Sequence, residues 1–304
     1  MDRFSVYEDL IGSEGIGFAI GERLSSHTTV GIGGAASVFV RPKSVIEFIK
    51  AVEAARSSGV RTFILGGGSN VLISDGGFFG ATISTRGLCE IFVEAEREGN
   101  AFIRAFAGAR LGALTSFCVG RGYEGLEFLC GIPGTVGGAV CMNAGCFGRE
   151  VSDVLASVDV YSLGKVKTLP CGDCGFSYRN STFLNSGEFV ISALFRTKTT
   201  DFASAARSAE KFVDLRRSQP KGRSLGSVFK NGAIPAARLI DSCIKRGARV
   251  GGAYISEKHA NFIMSDGTAT AADYYDLVRI IKSSVKERTG ITLFEEIRYV
   301  GEFI

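Results

Sequence analysis

Apolar residues recur with a helical period over residues 44–57, where Val45, Ile46, Phe48, Ile49 and Val52 share a face and Gly59 ends the run. Ser37–Val40 before it reads as a short strand closed by Pro42, and Arg61–Leu65 after it as a buried strand running into Gly66-Gly67-Gly68-Ser69-Asn70. The result is a strand–helix–strand unit with a glycine loop on its last strand. Further patterns predict strands at 81–85 and 101–107, a helix near 110–120, a hairpin over 157–169 turning at Leu163-Gly164, and a strand at Phe189–Phe195. From about residue 201 helices dominate, at 202–217, 234–245 and 271–288, the last opened by Thr270 and Asp273 in capping-box spacing. Strands are expected at 253–255, 260–264 and 292–299, and no internal repeat is visible. The pattern is that of an α+β region to about residue 200 followed by a separate α/β module.

Composition narrows the class. The 304 residues, 45% hydrophobic and 22% charged, suit a globular chain of two or three domains. No apolar run approaches the ~20 residues that span a bilayer. The first ten residues carry Asp2, Glu8 and Asp9 and lack a signal-peptide core, so a cytoplasmic protein is expected. Most of the eight cysteines lie in apolar stretches, as in Phe117-Cys118-Val119, and read as reduced buried residues. Cys171-Gly-Asp-Cys174 has redox or zinc spacing, but no second pair accompanies it and the only histidines are His27 and His259, so it reads as a turn and no metal is expected. A net charge of +4 is too small for a nucleic-acid footprint but suits a polyanionic small substrate.

Glycine is the outlier, with 40 residues clustered in a few loops. Backbone amides cradle phosphate oxygens where no side chain blocks the approach. Gly66–Asn70 suits that task, and Gly131-Ile132-Pro133-Gly134-Thr135-Val136-Gly137-Gly138, soon followed by Asn143, offers a second set of amides. One such run alone reads as a tight turn; two, each beside a strand, point to a phosphorylated cofactor of nucleotide type. Gly31-Ile-Gly33-Gly-Ala-Ala36 matches the dinucleotide fingerprint, but a strand follows where a helix is required. No P-loop motif is present.

The segments His27–Gly34, Leu65–Leu72, Gly125-Leu-Glu-Phe128, Gly131–Ala139, Met142-Asn-Ala-Gly145, Tyr178-Arg-Asn-Ser181, Gly226–Asn231, Ser256–Phe262 and Glu296-Ile-Arg298 together resemble one family, the UDP-N-acetylenolpyruvoylglucosamine reductases. The resemblance implies a two-part FAD-binding region of vanillyl-alcohol oxidase type (1–80 and 81–200) and a C-terminal α/β substrate-binding domain (201–304), whose last strand near 292–304 packs back on the FAD region. It implies non-covalent FAD, NADPH as co-substrate, a UDP-sugar enol ether as acceptor, and a monomer serving peptidoglycan precursor synthesis. By position, the FAD pyrophosphate falls on Gly66, Gly67, Gly68, Ser69, Asn70, Gly131, Ile132, Pro133, Gly134, Thr135, Gly137, Gly138 and Ala139, with Asn143 beside them. The catalytic trio falls on Arg179, Ser227 and Glu296, and substrate contacts on Lys230 and Asn231. Gly232 stands where the family usually has proline, and Ser265 where asparagine is common. The step of 48 positions from Arg179 to Ser227 leaves little room for the substrate-capping loop of some members.

Chemistry accounts for these roles. Hydride addition to an electron-poor vinyl carbon builds charge on the adjacent carboxylate, which a guanidinium grips bidentately. A serine is a poor acid unless nearby charge or a relay assists it, and Lys230 is close in sequence. The residues alone do not choose between Glu295 and Glu296; the family spacing before Ile-Arg selects Glu296. Lys258 and His259 are read as structural, and the basic stretch 216–223 as a solvated run able to steer anionic substrates. Two other functions compete: a flavin oxidase or dehydrogenase of the same fold acting on an alcohol, and a flavin-binding module without chemistry. The first would need a base rather than a proton donor.

Overall fold

The computed structural model describes residues 2–303. Alternation in Asn100–Phe106 turns Ala101, Ile103 and Ala105 inward, and the strand lies beside the central Phe189–Thr199 in a sheet ordered Lys165–Pro170, Leu155–Ser162, Phe189–Thr199, Asn100–Phe106, Ile91–Arg97. Tyr123–Glu124 adds to Phe189–Thr199 off this path. The apolar helix Leu111–Gly120 packs on Phe202–Arg216, and Val136–Cys141 packs on Phe189–Thr199. Their shared core includes Leu114, Phe128, Val136, Val140 and Phe195. A second sheet is ordered Gly17–Ile20, Ala36–Arg41, Phe78–Ser84, Thr62–Leu65. Helices Arg3–Ser13 and Val45–Ser57 pack together, and Ser44 caps the latter through the Glu47 amide.

Another core gathers Val30, Ile32, Leu72, Ile240, Ile263, Tyr274 and Ile281. Its sheet runs Ser224–Ser227, Phe262–Ser265, Ala253–Ile255, Arg249–Val250. Helix Ala271–Thr289 forms where the capping box predicts: Thr270 Oγ1 accepts the Asp273 amide at 3.0 Å and the Asp273 carboxylate accepts the Thr270 amide at 2.9 Å. The Asp75 carboxylate takes the next two amides, of Ala271 and Ala272, and Gly290 ends the helix in the left-handed region. Arg298–Val300 pairs in parallel with Val71–Ile73.

The chain divides into two compact units: Met1–Phe18, Phe39–Gly67 and Thr82–Arg217 form the first, and Ala19–Val38, Gly68–Ala81 and Ser218–Ile304 the second. They differ from the contiguous blocks 1–80, 81–200 and 201–304, since residues 19–38 and 68–81 join the C-terminal part and Phe202–Arg216 joins the first unit.

Most elements lie where periodicity places them. Three differences are instructive. Val136–Cys141 is helical although it holds Gly137 and Gly138, because Val136, Ala139 and Val140 are buried against the sheet and packing outweighs glycine's low propensity. Arg3–Ser13 and Ile91–Arg97 were not expected from the pattern. The final strand is confined to Arg298–Val300; residues 294–297 instead bond individually to residues 228–230.

Candidate active site

The first unit carries a glycine-lined cradle. A Cβ on Gly66 would collide with Thr135 Oγ1, and one on Gly67 would stand 2.7 Å from Gly134 Cα. One on Gly137 would lie 2.9 Å from Ala107 Cβ. Close backbone approach requires glycine at Gly67, whereas at Gly66 and Gly137 the nearest atoms belong to the Thr135 and Ala107 side chains. The approach is fixed by the Leu111 amide donating to the Gly134 carbonyl at 3.1 Å and by the Val136 and Gly137 amides donating to Ala109 and Ala107 at 2.9 and 2.8 Å. Thr135 is buried, and its hydroxyl finds no hydrogen-bond partner among the described residues. Ile132 and Pro133 continue the loop, and Ala139 lies buried in the helix that follows.

Asn143, also in the first unit, is fully buried. Its Oδ1 accepts the Ser152 amide at 3.0 Å, and its Nδ2 donates to the Ser177 carbonyl at 3.2 Å. Asn143 therefore ties the loop after the cradle to the turn that carries Arg179. In that turn Ser177 and Asn180 exchange two backbone hydrogen bonds of 3.1 Å, leaving Tyr178 and Arg179 at its tip. Arg179 has φ = +54°, a conformation arginine adopts at a cost. Its guanidinium donates to the Gly145 carbonyl at 2.6 Å and lies 4.9 Å from the Tyr178 ring centre. Arg216 is no free member of a solvated run: it donates to Cys146 Sγ at 3.0 Å, and a Cβ on Gly131 would stand 3.0 Å from its Cδ. Burial raises the Cys146 thiol above its ordinary range, against the opposing pull of Arg216.

The second unit holds Gly68, Ser69, Asn70, Ser227, Lys230, Asn231 and Glu296. Asn70 Nδ2 donates to the Glu296 carbonyl at 3.0 Å, and the Arg298 amide donates to the Asn70 carbonyl at 2.9 Å. The Glu296 amide donates to the Val228 carbonyl at 2.8 Å. Ser227 and Glu296, remote in sequence, thus lie on adjoining backbone. The Lys230 amide donates to the Phe294 carbonyl at 2.9 Å. Asn231 has a structural task, since its Oδ1 accepts the amide of Ala236, the first residue of helix Ala236–Cys243, at 3.0 Å.

Asn261, which reasoning from sequence passed over inside Ser256–Phe262, is buried and bonds the Phe229 amide and carbonyl at once. His259 beside it accepts the Asn261 amide through Nδ1 at 3.3 Å, and burial, then Arg246, lower its pKa, which favours that neutral acceptor. At Gly232 an added Cβ meets nothing within 4 Å, and Ser265 Oγ accepts the Gly267 amide at 3.1 Å.

Comparison with known proteins decides the family. A model described as "FAD binding domain" matches residues 36–169, and one described as "UDP-N-acetylenolpyruvoylglucosamine reductase, C-terminal domain" matches residues 219–300. The UDP-N-acetylenolpyruvoylglucosamine reductase of Syntrophus aciditrophicus is 37% identical over 285 residues, covering 92% of this chain and 91% of that protein. The chain belongs to the UDP-N-acetylenolpyruvoylglucosamine reductase family. The crystal structure of the Thermus caldophilus reductase matches with a TM-score of 0.80 at 32% identity, over 94% of this chain and 99% of that one. A berberine bridge enzyme variant matches with a TM-score of 0.51 at 13% identity, over 64% of this chain and 44% of that one, a likeness of fold alone. The fold class is the expected one, an FAD-binding region of vanillyl-alcohol oxidase type with a C-terminal substrate-domain fold, and the protein is an FAD-dependent oxidoreductase. One observation fits that cofactor: beside Gly66 the buried Thr135 hydroxyl is left for an outside partner. Among the described residues no helix is long and apolar enough to cross a membrane.

Proposed function

We propose that this chain reduces the enolpyruvyl ether of UDP-N-acetylglucosamine to UDP-N-acetylmuramate in peptidoglycan precursor synthesis, with NADPH as donor and FAD held non-covalently. The observation that carries the reading is the bond from the Glu296 amide to the Val228 carbonyl, which sets a hydroxyl donor and a carboxylate on neighbouring backbone within the domain that matches the reductase family. FAD, when bound, supplies two-electron transfer between the nicotinamide donor and the vinyl carbon. Arg179 holds the substrate carboxylate as charge grows on it, from a turn whose backbone is fixed by Ser177 and Asn180. Ser227 gives the proton to the second vinyl carbon, and Glu296 donates to the carboxylate when protonated or supports that transfer. Lys230 and Asn231 contact the substrate, and Gly66–Asn70, Gly131–Ala139 and Asn143 hold FAD. In this division residues 1–80 and 81–200 serve the cofactor and 201–304 the substrate. The partners are small molecules rather than nucleic acid or membrane, and the protein acts as a cytoplasmic monomer.

Anaerobic stopped flow tests the assignment by separating the two half-reactions. Ser227→Ala leaves bleaching of the flavin band by NADPH nearly intact. It slows reoxidation by the enol ether by the ~10²–10⁴-fold typical of a lost general acid, roughly 3–5 kcal/mol of barrier. The opposite pattern would assign Ser227 to nicotinamide binding.

A further inference from the structure

We propose that Asn261 is a positioning residue for proton delivery by Ser227, an inference that rests on reading Ser227 as the donor. The strand that carries Ser227 is poorly held by its own ladder. Ser224–Ser227 pairs with its neighbour only at Ser224↔Met264 and Ser227↔Phe262, with an irregularity between them and Gly226 at φ = +75°. An irregularity of this kind leaves residues unpaired and interrupts the ladder. Its near end is tied by the Thr29 hydroxyl, which donates to the Ser224 carbonyl at 2.6 Å.

Beyond Ser227 one edge of the backbone is paired with residues 294–296, through the Val228 carbonyl and the Lys230 amide, and the other edge is held by Asn261. Asn261 Oδ1 accepts the Phe229 amide at 2.9 Å, Nδ2 donates to the Phe229 carbonyl at 2.8 Å, and the Asn261 carbonyl accepts the Val228 amide at 2.9 Å. A side-chain amide carries a donor and an acceptor at the spacing of a peptide group, so here it replaces the missing strand partner. The Val228 carbonyl is spent on the Glu296 amide. Asn261 thereby sets both peptide groups that follow Ser227, and through them the aim of its hydroxyl. Asn261 itself is 2% exposed, so water has little opportunity to replace these bonds.

The test uses the flavin-loaded enzyme and the variants Asn261→Ala and Asn261→Asp, with Ser227→Ala as the reference. Expected are NADPH bleaching within about twofold of the parent and reoxidation by UDP-N-acetylglucosamine enolpyruvate slowed about 10- to 100-fold, the scale of a small misplacement of a reacting group. The loss falls on kcat rather than KM, and hydrogen–deuterium exchange rises at the amides of Val228 and Phe229. Adding Asn261→Ala to Ser227→Ala slows reoxidation no further. Unchanged reoxidation in a folded Asn261 variant, or an equal loss in the Ser227→Ala background, overturns the positioning role alone. Unchanged reoxidation in Ser227→Ala by itself overturns the donor reading on which it rests. If Asn261→Ala yields no holoenzyme, Asn261→Asp keeps the acceptor for the Phe229 amide and carries the same comparison.

Discussion

The cradle of the first unit and the strap of the second are built by opposite means. At Gly66, Gly67 and Gly137 the backbone is shaped by leaving side chains out, so that main chain packs on main chain at Gly67 and on the small side chains of Thr135 and Ala107 at the other two. Around Ser227 and Glu296 it is shaped by adding side chains that imitate main chain, with Asn70 and Asn261 bonding backbone groups far away in sequence. A phosphate binder needs room for an anion among amides, whereas a proton donor needs one hydroxyl aimed in one direction. Omission lets the loops of the first approach closely enough to bring their amides together, and side-chain amide clamps serve the second.

The sharpest way to break this contrast is to fill the cradle. Gly67→Val places a branched side chain 2.7 Å from Gly134 Cα, an overpacking of about 1–3 kcal/mol or more. Purified protein should carry at least about tenfold less flavin, measured as the visible-to-280 nm absorbance ratio. Gly232→Ala in the second unit, where a Cβ meets nothing within 4 Å, should stay within about 0.5 kcal/mol of the parent in a denaturant titration. Equal behaviour of the two variants would remove the distinction between required and incidental glycines.

Alkaline pH sharpens the comparison from another side. Burial pushes the Cys118 thiol up to about 12 and Cys174 up to about 11, both in the first unit. Their folded pKa values lie above the unfolded one, so the stability they contribute is complete below an unfolded thiol pKa of about 8.5. It is lost progressively as pH rises from there toward 11–12, because only the unfolded chain ionises. The melting temperature should therefore fall above pH ~9, and Cys118→Ala should flatten the slope. In the second unit the buried Tyr274 and the partly buried Tyr299, held above their ordinary range by desolvation, begin to act only above pH ~10. A flat melting profile from pH 8 to 11 would refute this.

The smallest effect concerns the turn at Arg179. Both Arg179→Ala and Arg179→Gly remove the guanidinium, but only glycine adopts φ = +54° without cost. The glycine variant should be the more stable by about 1 kcal/mol in urea, with both equally slow in reoxidation. Identical stabilities would mean that the turn relaxes and stores no strain.

The same contrast explains what could be read from the chain beforehand. Omitted side chains leave a direct trace, since Gly66–Gly68 and Gly131–Gly138 stand out in composition and point to backbone recognition before any fold is known. Helix Ala271–Thr289 was equally legible, because the Thr270–Asp273 box and the buried sequence Tyr274, Leu277, Val278, Ile281 are local. Clamps leave no such trace. Nothing near Asn261 in sequence announces Phe229, and Asn70 reads as the end of a glycine loop until the Glu296 carbonyl lies 3.0 Å from it. The short final strand was misjudged for the same reason: the bonds of residues 294–297 go to residues 228–230 rather than to a ladder. The interleaving of segments 19–38 and 68–81 with the C-terminal unit is likewise a long-range matter.

The parallel pairing of Val71–Ile73 with Arg298–Val300 bears on how the chain acquires its structure during synthesis. A ribosome adding ~5–20 residues per second exposes residues 71–73 more than ten seconds before their partner exists. Throughout that interval the strand is an unpaired edge, and the Asp75 carboxylate has yet to meet the amides of Ala271 and Ala272. The second unit closes last although parts of it are made early, so its contact order is high and its assembly slow. A nascent chain stalled before residue 298 would present that edge to its neighbours, and aggregation rather than a half-active enzyme is the expected fate of such a fragment.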